Sequence, residues 1–121
     1  MTQVNSQLMD DMDPHWLGFL QTTVNSFIKW DLIRFFNHNP HAADTAENIA
    51  HYIGRDNQVI EDDLAGLVGS GILQCADISN ARVYSLVRDG EVHNTISDFV
   101  AACSDRQFRV KAIYHVIRAM R

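Results

Sequence analysis

Apolar residues recur at helical spacing in the first third of the chain. Asp13 followed by Pro14 predicts a helix start, because aspartate caps free amide groups and proline fits the first helical position. A second apolar set then follows steps of three and four until Asn37 to Pro40 interrupt it. Its members are Val24, Phe27, Ile28, Leu32, Phe35 and Phe36. The β-branched residues between 22 and 25 favour two helices over one continuous helix across residues 14–37.

A short helix and a tight turn follow. Asp44 and Glu47, three residues apart, form a capping-box pattern that opens a helix through residues 49–53. Gly54 then supplies the left-handed residue that commonly closes a helix. The pattern therefore predicts a helix that ends in a sharp change of direction.

The next helix is predicted to begin at Asp56 or Asn57, both of which are good capping residues. It ends at Gly71, and Gly66 in its interior indicates that another group approaches closely there. Its buried stripe is predicted to consist of Ile60, Leu64, Leu67 and Val68.

After Gly71 the hydrophobic period changes. Residues 72–77 and 82–87 form two short runs on either side of residues 78–81, whose central pair, Ser79 and Asn80, is polar. Runs of this length around a polar tip are typical of a β-hairpin. We therefore predict two antiparallel strands directly after the helix.

The C-terminal stretch, capped by Asp89, has an apolar position at alternate steps of four and three. The exception is Arg106, which lies beside a second capping box formed by Ser104 and Gln107, so we favour a break near Ser104. An apolar stripe of this length needs a partner surface, and we expect a second copy of the chain to supply it. The predicted dimerisation residues are Val92, Ile96, Phe99, Val110, Ile113, Ile117 and Met120.

The composition fits a single globular domain. The chain has 121 residues, of which 46% are hydrophobic and 21% charged. Cys75 and Cys103 do not make a disulfide framework, and the sequence shows neither a signal peptide nor a stretch long enough to span a membrane. We expect a cytoplasmic protein with no membrane partner. Its predicted divisions are a mobile tail over 1–13, a unit over 14–88 and a helical dimerisation segment over 89–121.

Two segments carry a resemblance to a known family. They are Asp44 to Ala50 (DTAENIA) and Leu64 to Leu73 (LAGLVGSGIL), within the order helix, helix, helix, hairpin, helix. Over residues 24–88 the sequence resembles the winged helix-turn-helix transcription regulators, including the small dimeric repressors of the arsenical-repressor and multiple-antibiotic-resistance kinds. The resemblance implies a mainly α (α+β) fold with a two-stranded β-wing and extra N- and C-terminal helices.

The resemblance also implies which residues meet DNA. In this family the second helix of the unit enters the major groove and the wing lies beside it. Side-chain amides suit adenine, and wing arginines suit phosphate or the minor groove. The implied DNA-binding residues are Arg55, Asn57, Gln58, Glu61, Asn80, Arg82 and Arg88.

The charge of the second helix departs from this family pattern. Glu61, Asp62 and Asp63 stand where the family usually carries basic or hydroxyl residues, and phosphates repel carboxylates. The same acids also suit a helix N-terminus, where they meet the helix dipole favourably. Two functions remain open. One is a homodimeric DNA-binding transcription regulator, and the other is a protein-protein interaction module whose acidic helix binds a basic protein partner.

Other chemistry finds little support in the sequence. His38, His41 and His51 match no zinc-binding spacing with either cysteine, so we expect no metal and no cofactor. Neither cysteine has a basic neighbour in the sequence that would lower its pKa. The sequence contains no nucleophile elbow and no phosphate-binding glycine loop. We therefore expect that the protein is not an enzyme.

Overall fold

The computed structural model describes residues 6–121. The helices are α1 (Ser6–Met9), α2 (Pro14–Thr22), α3 (Phe27–His38), α4 (Ala46–Ile53), α5 (Asn57–Gly69), α6 (Gly90–Ala102) and α7 (Arg106–Ala119). The strands are β1 (Ala43–Thr45), β2 (Leu73–Ile78) and β3 (Ala81–Leu86). A mainly helical chain with a small antiparallel sheet confirms the α+β class. The separation of α2 from α3 and the break between α6 and α7 are also confirmed.

Aspartate side chains begin most of these helices. Asp13, Asp56 and Asp89 each accept a hydrogen bond from the backbone amide two residues later, at 2.8–2.9 Å. The two predicted capping boxes are each displaced by one residue, because Thr45 caps α4 and Asp105 caps α7. A side-chain oxygen is available at either position, so spacing alone does not decide which one becomes the cap.

The three strands form a sheet in the order β1–β3–β2, with every pair antiparallel. Tyr84 of β3 lies opposite Asp44 of β1 on one side and Cys75 of β2 on the other. Ser79 and Asn80 make the hairpin turn with φ of +51° and +66°, the left-handed pair that a two-residue turn requires. The hairpin prediction is therefore confirmed. β1 was not predicted, since a three-residue strand carries no measurable alternation.

An aromatic cluster joins α6, which follows the sheet in the sequence, to α2 and α3, which precede it. The Phe99 ring of α6 lies 5.3 Å from Phe19 of α2 and 5.4 Å from Trp30 of α3, measured between ring centroids. Phe99 and Ile96 are fully buried, and Val92 packs against the same core. These three residues therefore belong to the core of their own chain. The expectation that they face a second copy is corrected.

Helix α7 divides its apolar residues between two faces. Ala112, His115 and Val116 are buried where α7 packs on α2. Val110, Ile113, Ile117 and Met120 are 36–56% exposed and lie on the opposite side. We call these four residues the α7 stripe. The single apolar stripe expected across α6 and α7 is thus divided between two surfaces, of which only the α7 stripe faces outward.

Residues 6–13, which were predicted to form a mobile tail, contain α1 and contact α7. The His115 Nε2 atom lies 2.9 Å from the Met9 carbonyl oxygen, and Lys111 Nζ donates a 2.8 Å hydrogen bond to the Asp11 carbonyl. The remaining part of that prediction, residues 1–5, lies outside the described residues. Among residues 6–121, no helix has the length and apolar character needed to cross a membrane.

Candidate functional site

Helices α4 and α5 form a pair joined by a tight turn. Gly54, with φ of +73°, reverses the chain after α4, and its amide hydrogen-bonds to carbonyls of the last α4 turn. On α5, the buried face consists of Ile60, Leu64 and Leu67. The opposite face is exposed and presents Gln58, Glu61, Asp62 and Ala65. We call these four residues the α5 outer face.

A cleft of about 520 Å³ separates α5 from the N-terminus of α4 and from β3. It brings together three of the residues predicted to bind DNA: Asn57, Glu61 and Arg82. Glu47 and Asp62 line the same cleft, so with Glu61 it holds three carboxylates. Glu47 was not identified as a site residue from the sequence, because its capping-box position explained it.

Asn57, one of the residues that line this cleft, has an unpaired buried acceptor. Its side-chain Oδ1 atom is buried and has no hydrogen-bond partner within the described part of the chain. Buried polar atoms are almost always paired, and leaving one unpaired costs about 1–3 kcal/mol.

Two of the predicted DNA-binding arginines are paired within the chain. Arg55 places Nη2 2.7 Å and Nε 3.2 Å from Asp31 Oδ2. Arg82 on β3 lies 3.5 Å from Asp77 on β2, and this hydrogen bond and charge raise the pKa of the Arg82 guanidinium. Both arginines remain partly exposed, so neither pair removes the cation from solvent.

The three consecutive acids of α5 have different surroundings. Asp63 accepts a 2.7 Å hydrogen bond from Ser26 Oγ and so joins α5 to the start of α3. Glu61 and Asp62 are exposed and belong to the α5 outer face. The acidic surface expected from the sequence is therefore made by two carboxylates of α5, with Glu47 added from α4.

The remaining predicted DNA-binding residues lie apart from this cleft. Gln58 is exposed on the first turn of α5, and Asn80 is at the tip of the hairpin. Arg88 is exposed beyond the end of β3, where it lines a separate cleft with His41 and His93. The seven residues therefore do not converge on one point.

The histidines and cysteines do not gather into a metal site. Within residues 6–121, no group of three or more His, Cys, Asp or Glu side chains is arranged to hold a metal ion. Cys103 does have basic neighbours in space, which the sequence did not reveal. Burial raises the pKa of its thiol to about 11, and the charges of Arg109 and Arg34 act in the opposite direction.

Comparison with known proteins gives no match for this chain, whether with protein-family models, with curated proteins or with solved structures.

Proposed function

We propose that the chain is a winged helix-turn-helix protein that acts as a homodimer and binds duplex DNA as a transcription regulator. The observation that carries this proposal is the arrangement of α4, α5 and the β2–β3 hairpin. A short helix, a glycine turn and a second helix with an exposed outer face are followed directly by a two-stranded hairpin. In helix-turn-helix proteins the second helix of such a pair lies in the major groove.

The residues at the start of α5 support base contact. Gln58 is exposed on the first turn, and side-chain amides pair with adenine through two hydrogen bonds. The hairpin supplies Arg82, and the exposed Arg88 follows it; both side chains suit phosphate oxygens. In this arrangement α5 gives sequence preference, and the arginines after it give the charge-dependent part of the affinity.

The α7 stripe supports the proposed homodimer. It exposes four large apolar side chains on one face of a helix whose other face is already packed. Contact between the stripes of two copies would remove these side chains from water. A symmetric pair presents two α5 helices, and paired helices of this class read half-sites about 34 Å apart.

The test is fluorescence anisotropy with a random-sequence duplex at low salt, followed by a salt titration. We expect binding that weakens steeply as salt rises, because bound cations displace counterions from DNA. Arg82→Glu with Arg88→Glu is expected to weaken binding at least tenfold. Arg106→Glu, the same type of charge change at the exposed first residue of α7, is the single-site control. An unchanged affinity in the double variant would remove the hairpin from the interface.

The carboxylates of the α5 cleft favour a second candidate, which is contact with a basic protein segment. Glu47, Glu61 and Asp62 line that cleft, so three carboxylates are available to a partner there. Lysine and arginine side chains carry donors and positive charge, so they match this surface.

One pair of substitutions separates the two candidates. Glu61→Lys with Asp62→Lys is expected to strengthen duplex binding if α5 meets phosphate, and to abolish binding of an oligolysine peptide if α5 meets a basic partner. Matched measurements with Glu91→Lys and Asp98→Lys together, at two exposed acids of α6, control for the same change in net charge. If the wild type binds the peptide and not the duplex at low salt, the DNA proposal is wrong.

A further inference from the structure

A second cleft lies on α3, α6 and α7, and it has the opposite charge to the α5 cleft. Trp30, Arg34 and His38 line it from α3, where they recur every fourth residue and share one face. Val100, Cys103, Ser104 and Arg109 complete its lining, and its volume is about 380 Å³. No carboxylate is among these lining residues.

Two guanidinium groups converge in this cleft from different helices. Arg34 and Arg109 both line the cleft, and both act electrostatically on the Cys103 thiol. Arg109 donates one 2.9 Å hydrogen bond to the Cys103 carbonyl oxygen and keeps its other N–H donors. Within the described residues, the Arg34 guanidinium makes no ion pair.

His38 adds a third group, whose two ring nitrogens can both donate only when the ring is protonated. Its Nδ1 atom lies 2.7 Å from the Arg34 carbonyl oxygen, so this nitrogen carries the proton in the neutral ring. The other ring nitrogen, Nε2, is left without a protein partner in the described structure. When the ring is protonated, the cleft therefore holds three cations.

The floor of the cleft is apolar. Trp30 is 8% exposed and packs on the Phe99 ring, and Val100 lies beside it on α6. A site with converging cations above an apolar floor suits a molecule that has an anionic head and an apolar body. Arginine pairs with carboxylate or phosphate oxygens through two parallel hydrogen bonds.

We propose that this cleft binds a small phosphate monoester, with its phosphate between Arg34 and Arg109 and its organic group against Trp30 and Val100. The charge of the site favours phosphate over a single carboxylate. A phosphate monoester carries a charge of about −1.5 to −2 at pH 7, which matches two arginines better than a charge of −1 does. The cleft has room for one small ligand and lies apart from the α5 outer face.

The test uses Trp30 as its own reporter. In a Trp16→Phe background, which retains an aromatic ring at residue 16, Trp30 is the remaining tryptophan. Phenyl phosphate is titrated while Trp30 fluorescence is followed, with inorganic phosphate and phenol as the probes that lack one half of the ligand. We expect saturable binding of phenyl phosphate, at least tenfold weaker binding of inorganic phosphate, and no response to phenol in the same range.

Charge-removing substitutions then locate the phosphate. Arg34→Gln and Arg109→Gln are each expected to weaken phenyl phosphate binding at least tenfold, whereas Arg118→Gln, a matched change on α7 outside the cleft, leaves it unchanged. Circular dichroism verifies that each variant is folded. The proposal fails if phenyl phosphate gives no saturable signal, or if both cleft variants bind it as the wild type does. Displacement of phenyl phosphate by a short duplex would also overturn it, because the cleft would then hold a nucleic-acid backbone.

Discussion

Arg55, in the turn between α4 and α5, is bound to Asp31 of α3 by a short ion pair. Two nitrogen atoms of the guanidinium lie 2.7 and 3.2 Å from Asp31 Oδ2. The pair joins the start of α5 to a helix of the core across 24 positions of sequence. Arg55 is also one of the residues that the helix-turn-helix resemblance assigns to DNA binding. Asp31 and a DNA phosphate would therefore compete for the same guanidinium group.

Asp31→Asn is therefore expected to strengthen duplex binding at low salt, by up to about tenfold, because Arg55 becomes available to phosphate. An exposed ion pair contributes only about 0–1 kcal/mol to folding, so stability should change little. Anisotropy with the random duplex measures the affinity, and urea unfolding measures the stability. In the Arg55→Gln background the same substitution should have no effect on the affinity. A gain that persists there would show that it arises from the lost negative charge alone.

Gly66 and Lys29 give a second prediction, because the Lys29 side chain crosses α5 at this glycine. A Cβ atom added at residue 66 would lie 2.7 Å from Lys29 Cε. Alanine is favoured over glycine inside a helix by about 1 kcal/mol. In the wild type, part of this gain is offset, since Lys29 must move and give up its 2.7 Å hydrogen bond to Asn25.

The measurement is a double-mutant cycle by urea unfolding. Gly66→Ala is expected to raise the free energy of unfolding by about 1 kcal/mol in a Lys29→Ala background, and by less in the wild type. Equal effects in the two backgrounds would show that the lysine does not constrain residue 66. Gly69→Ala, at a helical glycine with open space around it, is the control that needs no movement of a neighbour.

These residues also show which features of the fold could be predicted from the sequence. Local signals predicted the caps at Asp13, Asp56 and Asp89 and the turn at Gly54, because each involves groups only a few residues apart. Gly66 indicated a close approach without revealing that Lys29 makes it.

Contacts between distant segments were not accessible in the same way. Periodicity found the apolar positions of α6 and α7 but did not reveal their partners. Phe99 is therefore in the core whereas Ile117 is exposed, although both continue one pattern. The basic neighbours of Cys103 were missed for the same reason, since Arg34 is far from it in sequence.

The surroundings of the two cysteines predict different reactivity. Burial raises the pKa of Cys103 to about 11, so only about one thiol in a thousand is ionised at pH 8, and the thiolate is the reactive form. Cys75 is exposed on β2. Iodoacetamide at pH 8 should therefore alkylate Cys75 at least tenfold faster than Cys103, as followed by peptide mass spectrometry. The difference should disappear in denaturant, and equal rates in the folded protein would contradict the burial of Cys103.

The same pKa predicts how stability depends on pH. Because the folded protein keeps the Cys103 proton up to about pH 11, whereas the unfolded chain loses it near its ordinary pKa of 9.0, the unfolded state binds fewer protons between these values. Stability should therefore fall as the pH rises from about 9 towards 11. Cys103→Ala should reduce this fall, and Cys75→Ala should leave it unchanged. Urea unfolding at pH 8, 9 and 10 measures the difference, and identical slopes in all three proteins would exclude Cys103 as its source.

The exposed α7 stripe and the buried apolar residues of α6 should respond differently to substitution. Ile117→Glu places a charge on an exposed face, so it should convert the proposed dimer to a folded monomer at tens of micromolar. Ile96→Ala removes buried side-chain volume from α6 and should lower the free energy of unfolding by about 2–5 kcal/mol. Sedimentation equilibrium gives the mass, and urea unfolding extrapolated to low protein concentration gives the stability of the chain itself.

A wild-type protein that is already monomeric at tens of micromolar would contradict the homodimer. A dimer that survives Ile117→Glu together with Ile113→Glu would place its interface away from the α7 stripe.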